Sequence, residues 1–299
     1  MKILITGGTG LIGRPLCQRL IKEGQEVTVL TRSPEKAKNR LGKEVTAISD
    51  LKEFQADEKL DAVINLAGEG VADQYWTDQQ KERIRTSRIA MTQSCVNLIG
   101  RLESKPSVLL NASAIGYYGT DVDGFATEST PPGEGFLPEV SLDWEKEALK
   151  AEPYGVRVCL MRIGVVLAPD GGAYAKMKPP FQFKVAGQLG DGKQGFSWIH
   201  RDDVIRGMLF LLNREELSGP FNFTAPHPVS NAQFTQALSK VMRCWFNLPA
   251  PSWFLKLVLG EMAEEVLLKG ALVEPQALLK AGYTFLYSDL QSALENLEA

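Results

Sequence analysis

Gly7, Gly10 and Gly13 recur at three-residue spacing in Thr6-Gly7-Gly8-Thr9-Gly10-Leu11-Ile12-Gly13, directly behind the apolar run Lys2–Thr6. A strand that ends in such a turn and then opens a helix is built to hold a pyrophosphate. Gly7 permits the tight turn, Gly10 keeps a Cβ out of the anion's path, and Gly13 lets the helix lie close to the sheet. The first amides of the helix are unpaired, and the macrodipole favours an anion in front of them. Dinucleotide contacts therefore fall on Gly7, Thr9, Gly10, Leu11, Ile12 and Gly13. A glycine pattern alone is weak evidence, and the strand-turn-helix setting is what confirms it.

The next strand bears on the choice of dinucleotide. An NAD site places an acid about 20 residues past the glycines to accept from the ribose 2′-hydroxyl. Here Glu26–Leu30 runs into Thr31-Arg32-Ser33, and no acid stands at the strand end. Arg32 can pair bidentately with a 2′-phosphate, and the hydroxyls of Thr31 and Ser33 can add donors. That combination predicts NADP (NADPH). Leu66, Ala67 and Gly68 end a later strand and are small enough to run along the adenosine-ribose side. Arg83 and Arg88 follow on a helix, where either can reach the pyrophosphate or ribose or stand on a solvated face.

Other residues could do chemistry on a substrate. Ser113 ends the run Pro106–Ala112, at the carboxyl end of a parallel strand where ligands bind in such sheets. Tyr117 and Tyr118 come shortly after and can supply a proton or simply pack over the cofactor. Glu69 is an acid/base group, a ribose contact or a solvated carboxylate. His200 reads as a structural histidine at the start of a helix, bonded toward Asp202 and Asp203. Lys176, Lys178, Lys184 and Lys193 hint at an anionic small-molecule substrate. No His, Cys and carboxylate cluster has metal-ligand spacing, so no metal is expected.

These residues need a frame. Apolar runs at Lys2–Thr6, Glu26–Leu30, Val45–Ile48, Asp61–Ala67, Pro106–Ala112 and Val156–Leu167 read as strands buried on both faces. Amphipathic stretches at Leu11–Gly24, Thr77–Leu102 and Ser141–Ala151 read as helices between them. Alternation of this kind demands crossovers, hence an α/β doubly wound parallel sheet. Residues 169–195 read as a long irregular segment. Beyond it come the apolar stretch Phe196–His200, a helix at Asp202–Asn213 and a strand at Gly219–Thr224. Helices follow at Ser230–Arg243, Ser252–Lys269, Pro275–Ala281 and Asp289–Leu297. The division expected is a dinucleotide domain over 1–168, completed by pieces of about 196–225, and a smaller, mainly helical lobe over 169–299.

Bulk properties narrow the class. The 299 residues are 44% hydrophobic and 23% charged with a net charge of −3, and no block of like charge suggests nucleic acid. Four widely spaced cysteines suit a reducing compartment, and the opening residues do not resemble a signal peptide. No apolar run reaches the length of a membrane span. The expectation is a cytoplasmic protein without membrane or nucleic-acid partners, as a monomer or homodimer.

Together these motifs resemble the short-chain dehydrogenase/reductase superfamily in its extended, epimerase-like branch, which has a Rossmann fold. The resemblance rests on Thr6–Gly13, Asn65–Gly68, Ser113–Gly119, Arg162–Leu167 and Trp198–Asp203. More narrowly, the chain looks like an atypical "epimerase family" group with a helical C-terminal domain, on Asn65–Glu69, Ser87-Arg88, Gly171-Gly172, Pro179-Pro180-Phe181 and Ser197–His200. The resemblance implies NADP, touched at Thr31, Arg32, Leu66, Ala67, Arg88 and near Val165. It also implies a Ser that polarises a carbonyl, a Tyr that exchanges the proton and a Lys four residues on. The window 137–150 should hold the Tyr-Lys pair, yet it contains no Tyr. Tyr174–Lys178 has the spacing but follows the sixth strand, in the wrong place. Ser113 with Tyr117 or Tyr118 therefore remains as catalytic machinery. The alternative is a protein that binds NADP(H) without catalysis, as a redox sensor or scaffold.

Overall fold

A computed structural model of the chain describes residues 1–120 and 122–299. Its centre is a sheet of seven parallel strands. From one edge they run Thr46–Ile48 (β3), Glu26–Leu30 (β2), Lys2–Thr6 (β1), Ala62–Asn65 (β4) and Val108–Ala114 (β5), then Arg157–Ile163 and Gly219–Phe223. The order reverses direction between β1 and β4, which sit side by side with Thr6 opposite Asn65. At such a switch point the flanking helices diverge and leave a crevice at the carboxyl ends of the strands.

Both faces of the sheet are covered, which is why its strands are continuously apolar. Ile3 and Ile5 of β1 pack with Leu16 and Leu20 of α1 (Gly13–Lys22) and with Val204, Met208 and Leu211 of a later helix, Arg201–Leu212. Leu4 points the other way, into a core shared with Cys95, Val96 and Ile99 of the long helix Asp78–Arg101. Thr77 caps that long helix by accepting from the Gln80 amide.

Three elements differ from the pattern read along the chain. The apolar run through Leu167 is two strands, broken at Gly164. A Cβ there would sit 2.4 Å from the Ser197 carbonyl oxygen, so only glycine allows the chain to leave the main sheet at that point. Val165–Leu167 then pairs with Trp198–His200 in a separate ribbon. The supposedly irregular segment contains the helix Gly172–Gln182, whose Tyr174 and Phe181 enter a third core with Phe234 and Leu238. Pro179 and Pro180 disguise it in the sequence, because each lacks the amide that a helix interior bonds to the preceding turn, yet the helix carries both inside it. The stretch Ser252–Lys269 is an α-helix over Ser252–Leu259, turns at Gly260, whose φ is 59°, and resumes as a π-helical segment over Ala263–Leu268. Pro34–Leu41 adds a short helix that periodicity did not reveal.

The C-terminal segment is tied to the edge strand Gly219–Phe223, where Asn222 donates to the Glu274 carbonyl, and to elements outside the main sheet. Leu272–Val273 pairs with Phe125–Ala126, and the Ser197 hydroxyl donates to the Ala271 carbonyl while accepting from the Val273 amide.

Candidate functional site

The glycine turn has the shape expected of an anion cradle. Gly7 adopts φ 68°, and a Cβ on it would meet the Leu66 carbonyl oxygen at 2.7 Å. A Cβ on Gly13 would lie 2.2 Å from the Gly7 carbonyl oxygen, so any larger residue displaces the turn or the helix. Gly10 has only that same carbonyl oxygen near its missing Cβ, at 3.2 Å, and it is exposed. Its outer side is open for a ligand to approach the backbone. These constraints bring the turn from β1 against Leu66–Ala67 at the end of β4, two segments joined only by tertiary structure. The Ala67 amide donates to the Thr6 hydroxyl, which itself donates to Asn65 Oδ1 at 2.5 Å.

Beneath this crevice runs a buried polar chain that spacing alone did not reveal. Asn65 donates to both Thr92 Oγ1 and Asn111 Oδ1, and Trp144 Nε1 donates to Thr92 Oγ1. Every amide in it has found a partner, as buried polar groups must. Gly68 packs directly on the Arg88 guanidinium, 3.3 Å from where its Cβ would be. Arg88 lies over the Trp144 ring and donates to the Ile84 carbonyl. Burial pushes its pKa down to about 10, against the opposing pull of the Glu69 carboxylate. Of Arg83 and Arg88, it is Arg88 that is turned toward the crevice. Arg83 stands exposed between two open clefts of about 410 and 420 Å³.

Thr31 and Arg32 follow β2, one strand over from the turn. Arg32 is exposed and forms no ion pair among the described residues. Ser33 stands at the start of the helix Pro34–Leu41, and its amide donates to Thr31 Oγ1. On the other side, Leu11 packs against Gly171 and Gly172, a few residues past Val165. Asp170 in that same segment pairs with both Arg14 and Arg201.

Ser113, Tyr117 and Tyr118 do come together, around two residues that reading the sequence missed. Strand pairing sets Ser113 beside Arg162. The helix Phe136–Leu149 turns Glu145, not a lysine, toward them. Glu145 Oε1 accepts from Ser113 Oγ at 2.6 Å, and its two oxygens accept from Nε and Nη2 of Arg162 at 2.8 Å each. Both side chains are nearly sealed from water. Burial works against the Arg162 cation, but its bonds to Glu145 and Tyr118 outweigh this and raise its pKa above the ordinary value. Lys146 and Lys150 face outward, and Lys150 pairs with Glu147.

The two tyrosines differ. Tyr118 is buried, donates to Asn222 Oδ1 and accepts from Arg162. Burial pushes its pKa up to about 12, with Arg162 opposing. Tyr117 lies with its ring 3.5 Å from the Arg162 guanidinium carbon, and its hydroxyl makes no hydrogen bond among the described residues.

The Tyr118 shift has a consequence for stability. A folded-state pKa above the unfolded value gives stability that is complete below pH 10 and lost as pH rises toward 12. The loss attributable to Tyr118 is about 2–3 kcal/mol. Unfolding free energies measured from pH 9 to 12 should fall less steeply in Tyr118→Phe than in the wild type, and equal slopes would contradict the assignment.

Other expectations resolve plainly. Tyr174 is buried and donates to Glu298, far from Ser113, so its spacing to Lys178 is incidental. Lys176 pairs with Asp73, Lys178 with Glu298, and Lys184 donates to the Met242 carbonyl, whereas the Lys193 ammonium makes no ion pair or hydrogen bond among the described residues. His200 caps its helix by accepting from the Asp202 amide, the structural role read for it. Glu69 places its backbone amide on Ser87 Oγ. Among the described residues there is no cluster that could hold a metal, and no helix is long and apolar enough to cross a membrane.

The profile of the NAD dependent epimerase/dehydratase family matches residues 3–223, and a domain of unknown function matches residues 250–297. An epimerase family protein of Staphylococcus epidermidis is 40% identical over 300 residues, spanning 99% of this chain and 98% of its own. One of Staphylococcus aureus is 38% identical over 296 residues, 98% of both chains. Among solved structures, the human epimerase family protein SDR39U1 with NADPH superposes with a TM-score of 0.89 at 29% identity over 99% of both chains. A UDP-glucose 4-epimerase of Thermotoga maritima shares the fold, with a TM-score of 0.80 at 18% identity, over 100% of this chain and 98% of that one.

Proposed function

This chain belongs to the NAD dependent epimerase/dehydratase family, and from that premise we propose that it binds NADP(H) and acts as an oxidoreductase or epimerase-like enzyme on a small molecule. The observation that carries the choice of coenzyme is Arg32. It is exposed and forms no ion pair among the described residues, just past the end of β2, where an NAD site would hold an acid. The human relative's structure with NADPH is in keeping with that reading.

The residues present fit the coenzyme, because the turn Gly7–Gly13 is a cradle that side chains would fill. Its amides hold the pyrophosphate, and Arg32 with Thr31 and Ser33 takes the 2′-phosphate. Leu66, Ala67, Gly68 and Arg88 would line the ribose side, and Val165, on the short strand beside Trp198, would be a further contact. The coenzyme supplies hydride chemistry at its nicotinamide ring when bound. The chain's own contribution to proton movement lies at Ser113 Oγ and Tyr117 OH, on a floor fixed by Glu145 and Arg162. Three buried free thiols, Cys17, Cys95 and Cys159, suit a reducing cytoplasm.

One observation favours a second reading, a coenzyme-binding protein that does not turn over. Ser113 spends its hydroxyl proton on Glu145, and Tyr118 is held neutral. Coenzyme consumption across a panel of aldehydes and ketones, run beside Ser113→Ala, separates the two. Turnover that Ser113→Ala abolishes while NADPH binding persists supports the enzyme. Tight NADPH binding with no turnover by the wild type supports the sensor. No binding of either coenzyme by folded protein removes both.

A further inference from the structure

The segment that follows β4 spans the mouth of the crevice. Gly68 rests on Arg88, and the Glu69 amide donates to Ser87 Oγ, so the chain first runs along the helix Asp78–Arg101. It bends at Gly70, where a Cβ would collide with the Asp73 carboxylate. Residues 69–77 form no helix or strand. They hold a shape of their own: Trp76 Nε1 donates to the Val71 carbonyl at 2.7 Å, and the Trp76 ring meets Phe136 edge-on at 5.1 Å. A loop packed on its own side chains can swing about its ends as a unit.

One side chain fastens the tip of this loop to the opposite wall. Lys176 Nζ donates to the Ala72 carbonyl at 2.7 Å and to Asp73 Oδ1 at 2.6 Å. Lys176 belongs to the helix Gly172–Gln182, whose start packs on Leu11 of the glycine turn. The loop itself leaves the sheet just past Leu66 and Ala67, against which Gly7 is packed. The Lys176 bonds thus join the two walls on either side of the glycine turn. Two observations make the loop a moving part. Its latch is weak, because the Asp73 and Lys176 side chains are 58% and 51% exposed and a solvated ion pair holds little. The surface beside it is also unfinished. Gln80, in the first turn of the long helix, is only 3% exposed, yet neither its amide nitrogen nor its carbonyl oxygen has a hydrogen-bond partner among the described residues. Buried polar groups are ordinarily paired. Gln80 lines the open cleft of about 410 Å³ together with Asp73, Tyr75 and Thr77 of the loop. The closed position keeps the Lys176 bonds and strands Gln80, whereas a displaced loop loses those bonds and lets water reach the carboxamide. Each position has something the other lacks, which is what a two-state element needs.

We propose that residues 69–77 are a lid over the coenzyme crevice, latched shut by Lys176 on Asp73 and Ala72 and released to let the coenzyme in and out, an assignment that rests on the coenzyme site proposed above. The latch touches no part of the 2′-phosphate pocket at Arg32, so it governs NADPH and NADH alike.

Stopped-flow release of NADPH and of NADH from the full chain, followed by coenzyme fluorescence, reads the latch directly. Asp73→Lys and Lys176→Asp each set like charges against one another and should speed release of both coenzymes by about five- to tenfold. The swap Asp73→Lys/Lys176→Asp restores the attraction and should return release to within about threefold of the wild type. Hydrogen exchange over residues 70–77 of the wild type needs no variant, and it should slow when NADPH is bound. Release unchanged by either reversal, a swap as fast as the single changes, acceleration confined to NADPH, or exchange indifferent to NADPH overturns the lid and leaves the coenzyme site standing. Failure of the folded wild type to bind either coenzyme overturns the coenzyme site and the lid with it.

Discussion

Replacing Arg32 by Glu should weaken NADPH binding by about 100-fold to 1,000-fold while leaving NADH within about twofold. The size follows from two contributions. Loss of hydrogen bonds from a charged group to a phosphate costs about 1.5–3 kcal/mol. A carboxylate in place of the guanidinium adds repulsion of about 1 kcal/mol at an exposed site, where water screens it. The asymmetry between coenzymes is the diagnostic part. NADH carries a 2′-hydroxyl at the same place, and the new carboxylate can accept from it. Titration calorimetry with both coenzymes measures the ratio directly. A parallel loss for NADPH and NADH would mean that Arg32 acts on the turn as a whole, and no loss would place the 2′-phosphate elsewhere. The site is favourable for this test because Arg32 is exposed and forms no ion pair among the described residues, so its removal strands none of them.

Glu145→Ala should have the opposite character, with a large cost in stability. It leaves the Arg162 guanidinium buried beside Tyr118 without a counter-charge. Breaking such a pair from one side costs about 3–5 kcal/mol, a large share of a typical domain's stability. Ser113→Ala, which removes only one donor to Glu145, should cost about 1–2 kcal/mol. The double change Glu145→Leu/Arg162→Met should recover much of the loss, because a buried ion pair replaced by apolar groups of similar volume is often neutral. Urea unfolding midpoints with matched slopes give all three values. A cost below about 1 kcal/mol for Glu145→Ala would show water reaching Arg162, and the dry floor beneath Ser113 would be wrong. If the double change is as unstable as the single, packing rather than charge holds the site.

The two predictions differ because the residues were legible to different degrees. The glycine turn and Arg32 could be read directly, since each belongs to one short stretch of chain whose local geometry the residue types dictate. Gly7, Gly10 and Gly13 lie within a single turn, and their lack of a Cβ is meaningful wherever that turn occurs. The alternation of strands and helices was equally readable, because burial on two faces leaves continuous apolar runs and burial on one leaves a 3.6-residue stripe. Local reading failed where a signal cancelled itself. Pro179 and Pro180 hid the helix Gly172–Gln182, and the apolar run through Gly164 concealed a change of sheet.

Glu145 was invisible for another reason. Nothing local distinguishes it from Glu139 or Glu147 on the same helix, and the absent tyrosine drew attention to what the window lacked. Only the register that sets Ser113 beside Arg162, together with the face the helix turns inward, makes Glu145 the residue between them. The stretch from Trp245 to Val258 shows the same limit in reverse. Its composition is that of a core, yet Trp245 and Trp253 stand exposed, because hydrophobicity in sequence is the same whether a side chain points in or out. Which residues share a turn was thus decided by the sequence through short-range sterics. Which charges meet and which apolar faces stay uncovered was decided by long-range packing, because those pairings depend on strand register and helix rotation that no single segment encodes.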